Sequence, residues 1–160
     1  MYNSYTYTVL NQPFTIISEK ETVLAAGFES NDNLIKQLDQ LEIEIVQESI
    51  PGFKQAALDY NNGEVRAFEK YSVNQSGTEL QNSVWDYLGQ LPNETISYKE
   101  LADAIGKPKA IRAVASACGA NKCMLFIPCH RVLRSNGELG GYVYGVATKK
   151  QILDHELKHK

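Results

Sequence analysis

The chain has few sulfur-containing residues and no long apolar segment. Of its 160 residues three are cysteine, two methionine and one tryptophan, and all three cysteines fall within residues 118–129. Three cysteines cannot all pair in disulfides, so we expect reduced thiols and a cytoplasmic location. No segment approaches the ~20 apolar residues of a membrane span, and the first residues lack the basic-then-apolar pattern of a secretion signal. We therefore expect no membrane partner.

The N-terminal half has no cysteine and no histidine, which excludes a zinc site of the usual ligands there. The cysteines at 118, 123 and 129 and the histidine at 130 remain as possible ligands. Their spacing lacks the paired C-x2-C arrangement typical of structural zinc, so a zinc site is the less favoured alternative. We expect no metal and no cofactor.

Basic residues are unevenly distributed. Residues 1–76 contain eleven acids and five bases, whereas residues 77–160 contain eight acids and eleven bases. No acid interrupts the stretch between Asp103 and Glu138, which contains six bases: Lys107, Lys109, Arg112, Lys122, Arg131 and Arg134. Such a concentration on an otherwise acidic chain suggests contacts with nucleic-acid phosphates. An ordinary solvated charge cluster is the alternative explanation.

The two halves differ in pattern, and we divide the chain into domains at 1–75 and 76–160. β-branched and aromatic residues predict strands at 6–10, 14–17 and 22–28, and an alternating pattern predicts another at 41–46. Short helices are predicted at 32–38 and 53–60, and the polar residues 72–77 form the predicted linker. The whole is an α+β protein whose first domain is small and rich in strands.

The second half has helical periodicity. Leu80, Val84, Leu88 and Leu91 form one apolar stripe. Ser97 and Glu100 form a capping box for a helix over 98–105, and Gly106 ends it. A second helix, expected from Lys109 to about Cys118, contains many small side chains. Two short helices joined by a glycine-containing turn are typical of a helix-turn-helix, and a further helix is predicted over 147–158.

A thiol and an imidazole are adjacent at Cys129 and His130. A free cysteine is only about 3% thiolate at pH 7, so a nucleophilic cysteine needs a base or a positive field. Since strand neighbours point to opposite faces, we expect a bridging water between the two. The histidine needs a carboxylate to orient it. Glu156, Asp154 and Glu138 are the candidates, and periodicity does not rank them.

The segment Pro128-Cys129-His130-Arg131-Val132, together with Asn121 and Gly140-Gly141-Tyr142, resembles the O6-alkylguanine-DNA alkyltransferases. The resemblance covers about residues 80–156, with further matches at Tyr98, at Pro108-Lys109-Ala110 and at Arg112-Ala113-Val114. It implies a ribonuclease-H-like first domain and a winged-helix-like second domain. It also implies single-turnover transfer of an alkyl group from O6-alkylguanine in double-stranded DNA, by a monomer, with O4-alkylthymine as a second substrate.

The resemblance also implies a role for each site residue. Cys129 would be the nucleophile, His130 its base, Glu156 the residue that orients His130, and Tyr98 a proton donor to guanine. Arg112 would replace the flipped base in the stack. The remaining DNA-contacting residues would be Lys109, Ala110, Ala113 and Ser116. The guanine pocket and its support would comprise Asn121, Met124, Arg131, Val132, Tyr142 and Val143.

Met124 and Lys122 depart from the family pattern. Met124 stands where a small residue or proline is common, so we expect it to narrow the pocket and favour methyl over bulky lesions. We expect Cys118 and Cys123 to serve only in packing. Three alternatives to alkyl transfer remain: a non-catalytic sensor of alkylated DNA, a transcriptional activator, and a Cys-His hydrolase or thiol oxidoreductase. The presence of Cys129 argues against the sensor.

Overall fold

The chain forms two compact units in a computed structural model that describes residues 1–38 and 44–160. The first unit comprises residues 1–75 and 122–126, and the second comprises residues 76–121 and 127–160. The segment 122–126, assigned to the second domain in the sequence analysis, belongs to the first unit. Its backbone explains this, because Ala26 N–H donates to the Lys122 carbonyl (2.8 Å) and Met124 N–H donates to the Ala26 carbonyl (3.0 Å).

A four-stranded sheet in the order β3-β2-β1-β4 organises the first unit. β1 (Tyr2–Val9), β2 (Gln12–Glu19) and β3 (Thr22–Gly27) form an antiparallel meander, and β4 (Ile45–Val46) pairs in parallel with the start of β1. Leu10 and Asn11 between β1 and β2 both have positive φ, 49° and 63°, as a type I′ hairpin turn requires. The three predicted hairpin strands are confirmed, whereas residues 41–43 of the fourth lie outside the described residues.

An aromatic core covers this sheet. Helix α1 (Asn31–Lys36) and helix α2 (Pro51–Asn61) flank it, close to the predicted short helices. The Phe68 ring centroid lies 5.5 Å from that of Phe14 and 5.1 Å from that of Phe126, and all three side chains are buried. Burying one phenylalanine contributes roughly 1.5–3 kcal/mol. Phe126 therefore fixes the segment 122–126 in the first unit.

Four helices and a small parallel sheet form the described second unit. The elements are α3 (Glu79–Gly89), β5 (Ile96–Ser97), α4 (Tyr98–Ala104), α5 (Ile111–Ala120), a 3₁₀ helix (Cys129–Arg131), β6 (Val132–Leu133) and α6 (Val146–Lys158). Helix α3 packs on α5, where the indole N–H of Trp85 donates to the Ala117 carbonyl at 2.9 Å. β5 pairs with β6, so the start of α4 lies beside the chain that follows Cys129.

The helix-turn-helix differs from its prediction at one boundary. The capping box of α4 is confirmed, with the Glu100 N–H donating to the Ser97 hydroxyl and the Ser97 N–H donating to the Glu100 carboxylate, both at 3.0 Å. Helix α5 begins at Ile111, two residues later than predicted. Ala110 instead closes a turn in which its N–H donates to the Lys107 carbonyl at 2.9 Å. Within the described residues no helix is both long enough and apolar enough to cross a membrane.

Candidate active site

Cys129 is the first residue of the 3₁₀ helix, and the expectation that it lies in a strand is wrong. Pro128 precedes it, and the helix ends where β6 begins at Val132. Successive side chains of a 3₁₀ helix are about 120° apart, so Cys129 and His130 diverge without pointing to opposite faces. Both side chains are buried, with 6% and 1% exposure respectively.

The resting Cys129 thiol is protonated at neutral pH. Burial raises the pKa of Cys129, and this effect outweighs the hydrogen bond from the Asn121 side chain and the positive charge of Lys149, which lower it. Asn121 is itself held in place, since its Nδ2 donates to the Ile127 carbonyl at 3.0 Å. Reaction at this thiol therefore requires a group that accepts its proton.

Glu156 is the carboxylate paired with His130. Its Oε2 lies 2.9 Å from His130 Nε2, and its Oε1 accepts from Arg131 Nε at 2.8 Å. Burial alone would raise the pKa of Glu156, but His130 and Arg131 together lower it to about 2. The other candidates, Glu138 and Asp154, have exposed side chains and pair with neighbours on their own segments. The structure thus resolves a choice that periodicity left open.

The ionised Glu156 determines which nitrogen of His130 carries a proton. A carboxylate accepts hydrogen bonds and donates none, so Nε2 of the neutral imidazole must carry the hydrogen. Nδ1 is then the unprotonated nitrogen, available as a base. It is buried and has no hydrogen-bond partner within the described part of the chain.

Lys149 is a buried cation that the sequence analysis did not identify. Its Nζ donates to the carbonyls of Val132 (2.7 Å), Leu139 (2.5 Å) and Gly141 (3.2 Å), which joins β6 to the glycine-rich loop. The signal was present, because residues 149, 152 and 156 lie on one face of α6 and all are buried. A lysine at an otherwise apolar helix position marks a buried cation that needs acceptors.

A cavity of about 480 Å³ adjoins the thiol. Its lining comprises Tyr98, Ala115, Ser116, Cys118, Gly119, Cys129, Gly141, Tyr142 and Val143. Burial raises the pKa of Tyr98, and the nearby thiol groups add to this, so its hydroxyl stays protonated. Gly140 has φ of 72°, and a Cβ there would lie 3.2 Å from the Tyr98 ring, so this loop position is suited to glycine alone.

The exposed face of α5 adjoins the cavity. Arg112, Ala113, Ser116 and Gly119 are all exposed on this helix, and Ser116 and Gly119 also line the cavity. Small side chains at these positions allow another molecule to approach the helix backbone closely. Lys109 is exposed and Ala110 half-buried in the turn before the helix, so both lie near this face without being part of it.

Four predicted pocket residues lie elsewhere or have other partners. Met124 belongs to the first unit, where it is 2% exposed, which does not support its expected role in narrowing a guanine pocket. Arg131 is buried against Glu156 and donates to the Leu91 carbonyl at 3.1 Å. Asn121 supports the Cys129 segment. Val132 contributes a carbonyl that Lys149 already contacts.

The basic stretch is only partly available to a ligand. Lys107, Lys109, Arg112 and Arg134 are exposed in the second unit, whereas Arg131 is buried and Lys122 belongs to the first unit. The expectation of six phosphate contacts is therefore too high. Among the described residues no three histidine, cysteine or acidic side chains converge as metal ligands would.

Comparisons with known proteins agree on one family. Residues 79–158 match the family model described as 6-O-methylguanine DNA methyltransferase, DNA binding domain. The bifunctional transcriptional activator/DNA repair enzyme Ada of Escherichia coli is 55% identical over 85 residues, which are 52% of this chain and 24% of Ada. The chain thus spans about a quarter of the length of that relative.

Other relatives match over nearly their full length. The methylated-DNA–protein-cysteine methyltransferase of Methanosarcina barkeri is 39% identical over 145 residues, covering 84% of this chain and 89% of the relative. The crystal structure of Mycobacterium tuberculosis OGT in complex with DNA has a TM-score of 0.76 and 30% identity, covering 98% of this chain and 94% of that one. The α+β fold is therefore shared across both units.

Proposed function

This chain belongs to the methylated-DNA–protein-cysteine methyltransferase family, and we propose that it repairs DNA by moving the alkyl group of O6-alkylguanine onto Cys129. The observation that carries this proposal is the position of the buried thiol. Cys129 lines a cavity large enough for one base, and the same cavity adjoins the exposed small-residue face of α5. A base turned out of a duplex held against that face would meet the thiol.

Helix α5 would bind the minor groove of double-stranded DNA. Ala113 and Ser116 on its exposed face would allow the close approach that a narrow groove demands, and Lys109 and Ala110 would contact the backbone at its start. Arg112 would enter the stack in place of the extruded nucleotide, as side chains do in proteins that kink or flip bases. Extrusion costs a few kcal/mol and costs least for a poorly paired base, which favours the alkylated guanine.

His130 would serve as the base through a bridging water. Its Nδ1 would take the Cys129 proton, and Glu156 would orient the ring and stabilise the imidazolium. The thiolate would then attack the alkyl carbon as the carbon–oxygen bond to guanine breaks. Glu156 supports this role because its pKa of about 2 keeps it ionised throughout the neutral range.

Tyr98 would neutralise the departing guanine anion by donating its hydroxyl proton to N3. The raised pKa of Tyr98 supports this, because the proton is held until a strong base arrives. The Cys129 and Val132 carbonyls would accept from the exocyclic amine, and the Val143 amide would approach O6. Tyr142 would close the pocket wall, and Asn121 and Arg131 would support the segment from behind.

The product is a thioether, which has no exchange route back to a thiol, so each molecule would act once. Titration of an O6-methylguanine duplex with increasing protein, with lesion counted by nucleoside chromatography, tests this directly. We expect removal to stop at one lesion per protein molecule. Cys129→Ala should remove none, and Cys123→Ser, which alters a buried thiol of the first unit, should match the unmodified protein. Removal beyond one equivalent would contradict the proposal, and binding without removal would indicate a sensor.

Finer features accompany the proposal. O4-alkylthymine would be a second substrate, and the protein would act as a cytoplasmic monomer. The first domain, 1–75, would have a ribonuclease-H-like topology, which its antiparallel meander followed by a parallel strand supports. The second domain, 76–160, would be winged-helix-like, since a helix-turn-helix is followed by a short sheet.

A further inference from the structure

The cavity beside Cys129 contains a second thiol. Cys118 lies in the last turns of α5 and is 7% exposed, Cys129 is 6% exposed, and both line the same space of about 480 Å³. The two groups are close enough for each to disturb the other electrostatically. The expectation that Cys118 serves only in packing does not account for this placement. Cys123, in contrast, lies in the first unit.

We propose that Cys118 is a second alkyl acceptor, which captures the far end of a bifunctional alkyl group after Cys129 has taken the near end. This rests on the proposed function and extends its substrate class to O6-(haloalkyl)guanines. In the first step the Cys129 sulfur bonds to the alkyl carbon, the carbon–oxygen bond breaks, and guanine leaves with the thiol proton. In the second step the Cys118 sulfur displaces halide from the terminal carbon, and its own proton passes to solvent. The products are guanine, hydrogen halide and a bis-thioether bridge.

The chemistry of the intermediate favours this second step. A haloethyl thioether is a half-mustard whose sulfur can expel its own halide, giving a strained cyclic sulfonium that any nearby nucleophile opens. The other nucleophiles that line the cavity are hydroxyl groups, of Tyr98, Ser116 and Tyr142. A thiolate is a softer and stronger nucleophile toward such carbon centres than a hydroxyl or water. Without capture, the activated carbon would remain beside DNA and could cross-link the protein to it.

Proximity compensates for the low acidity of Cys118. Burial, with a further contribution from Cys129, raises the pKa of Cys118 to about 12, so only ~10⁻⁵ of it is thiolate at pH 7. Effective molarities of well-placed groups reach ~10⁵ M or more. The product is an effective thiolate concentration on the order of 1 M. Alkylation also removes the negative charge that Cys129 can bear, whereas the opposing charge of Lys149 remains.

The test uses the whole protein and duplexes that carry O6-(2-chloroethyl)guanine or O6-(3-chloropropyl)guanine, the longer chain spanning a wider separation of the thiols. Trypsin separates residues 113–122, which contain Cys118, from residues 123–131, which contain Cys129. A bridge joins these two peptides, and the intact mass shows the alkylene gain with halide lost. The comparison proteins are Cys118→Ser and Cys123→Ser.

We expect joined peptides in the unmodified protein and in Cys123→Ser, and separate peptides in Cys118→Ser. Yields are normalised to methyl transfer from an O6-methylguanine duplex by the same preparation. Methyl transfer with only chloroalkyl or hydroxyalkyl Cys129 at both chain lengths would overturn the inference alone. Joined peptides that persist in Cys118→Ser would also overturn it. Absence of methyl transfer in the unmodified protein would instead remove the proposed function on which it rests.

Discussion

Replacing Glu156 with glutamine removes the negative charge that neutralises Arg131 and orients His130. The side chain keeps its size, and one oxygen remains to accept a hydrogen bond. The pKa of this carboxyl drops from its ordinary value of 4.5 to about 2 in the folded protein. At about 1.4 kcal/mol per pH unit, the charge contributes about 3 kcal/mol of stability at pH 7. Glu156→Gln should lose about that amount, because Glu156 is only 2% exposed and solvent screens it little.

The loss should depend on pH in a defined direction. The folded pKa of Glu156 lies below the unfolded one, so its contribution is complete above about pH 4.5 and disappears as the pH falls toward 2. The difference in unfolding free energy between the two proteins should therefore be constant from pH 7 to 5. By pH 3.5 it should shrink by about 1 kcal/mol. Other acids titrate equally in both proteins and cancel.

Urea unfolding followed by the fluorescence of Trp85, the one tryptophan in the sequence, measures this in the second unit. Asp154→Asn is the matched control, since it is the same change on the same helix. Its exposed pair with Lys150 should contribute less than about 1 kcal/mol. A loss below about 1 kcal/mol for Glu156→Gln, or a loss that stays constant down to pH 3.5, would refute the reasoning.

Three further outcomes follow from the site. Lys149→Met leaves three carbonyls without their donor and should destabilise the protein by about 3 kcal/mol, whereas Lys150→Met, at an exposed neighbour, should not; thermal unfolding distinguishes them. Ser97→Ala removes the cap of α4 and should cost about 1 kcal/mol in urea unfolding, with an unchanged midpoint as the contrary result. If Lys107, Lys109 and Arg134 meet phosphates, the slope of log affinity against log salt should be about −3, and glutamine at both lysines should bring it to about −1. A slope that the double variant leaves unchanged would remove those two lysines from the interface.

Local sequence patterns predicted most of the secondary structure. The capping box of Ser97 and Glu100 and the β-branched runs of the first half are short-range signals, and the elements lie where these signals placed them. The start of α5 was missed because a turn stabilised by the Ala110 N–H competes with the first helical turn. Residues 122–126 were assigned to the wrong unit because their partners, Ala26 and Phe68, are far away in sequence.

The site divides in the same way. The adjacent Cys129 and His130 were evident from sequence, but the choice of Glu156 over Asp154 depends on which face of α6 is buried, and that is a tertiary property. Lys149 was missed because its three acceptors are backbone carbonyls, which leave no mark in the sequence. Cys118 was read as packing for a similar reason, since only the folded chain places it on the cavity that Cys129 lines.

Intact-protein mass after incubation with an O6-methylguanine duplex, followed by peptide mapping, tests the central claim most directly. The account predicts that the protein gains one methylene equivalent, that the gain lies on Cys129, and that Cys129→Ala gains nothing. An unchanged mass in a protein that still binds the lesion, or a methyl group located on another residue, would contradict it.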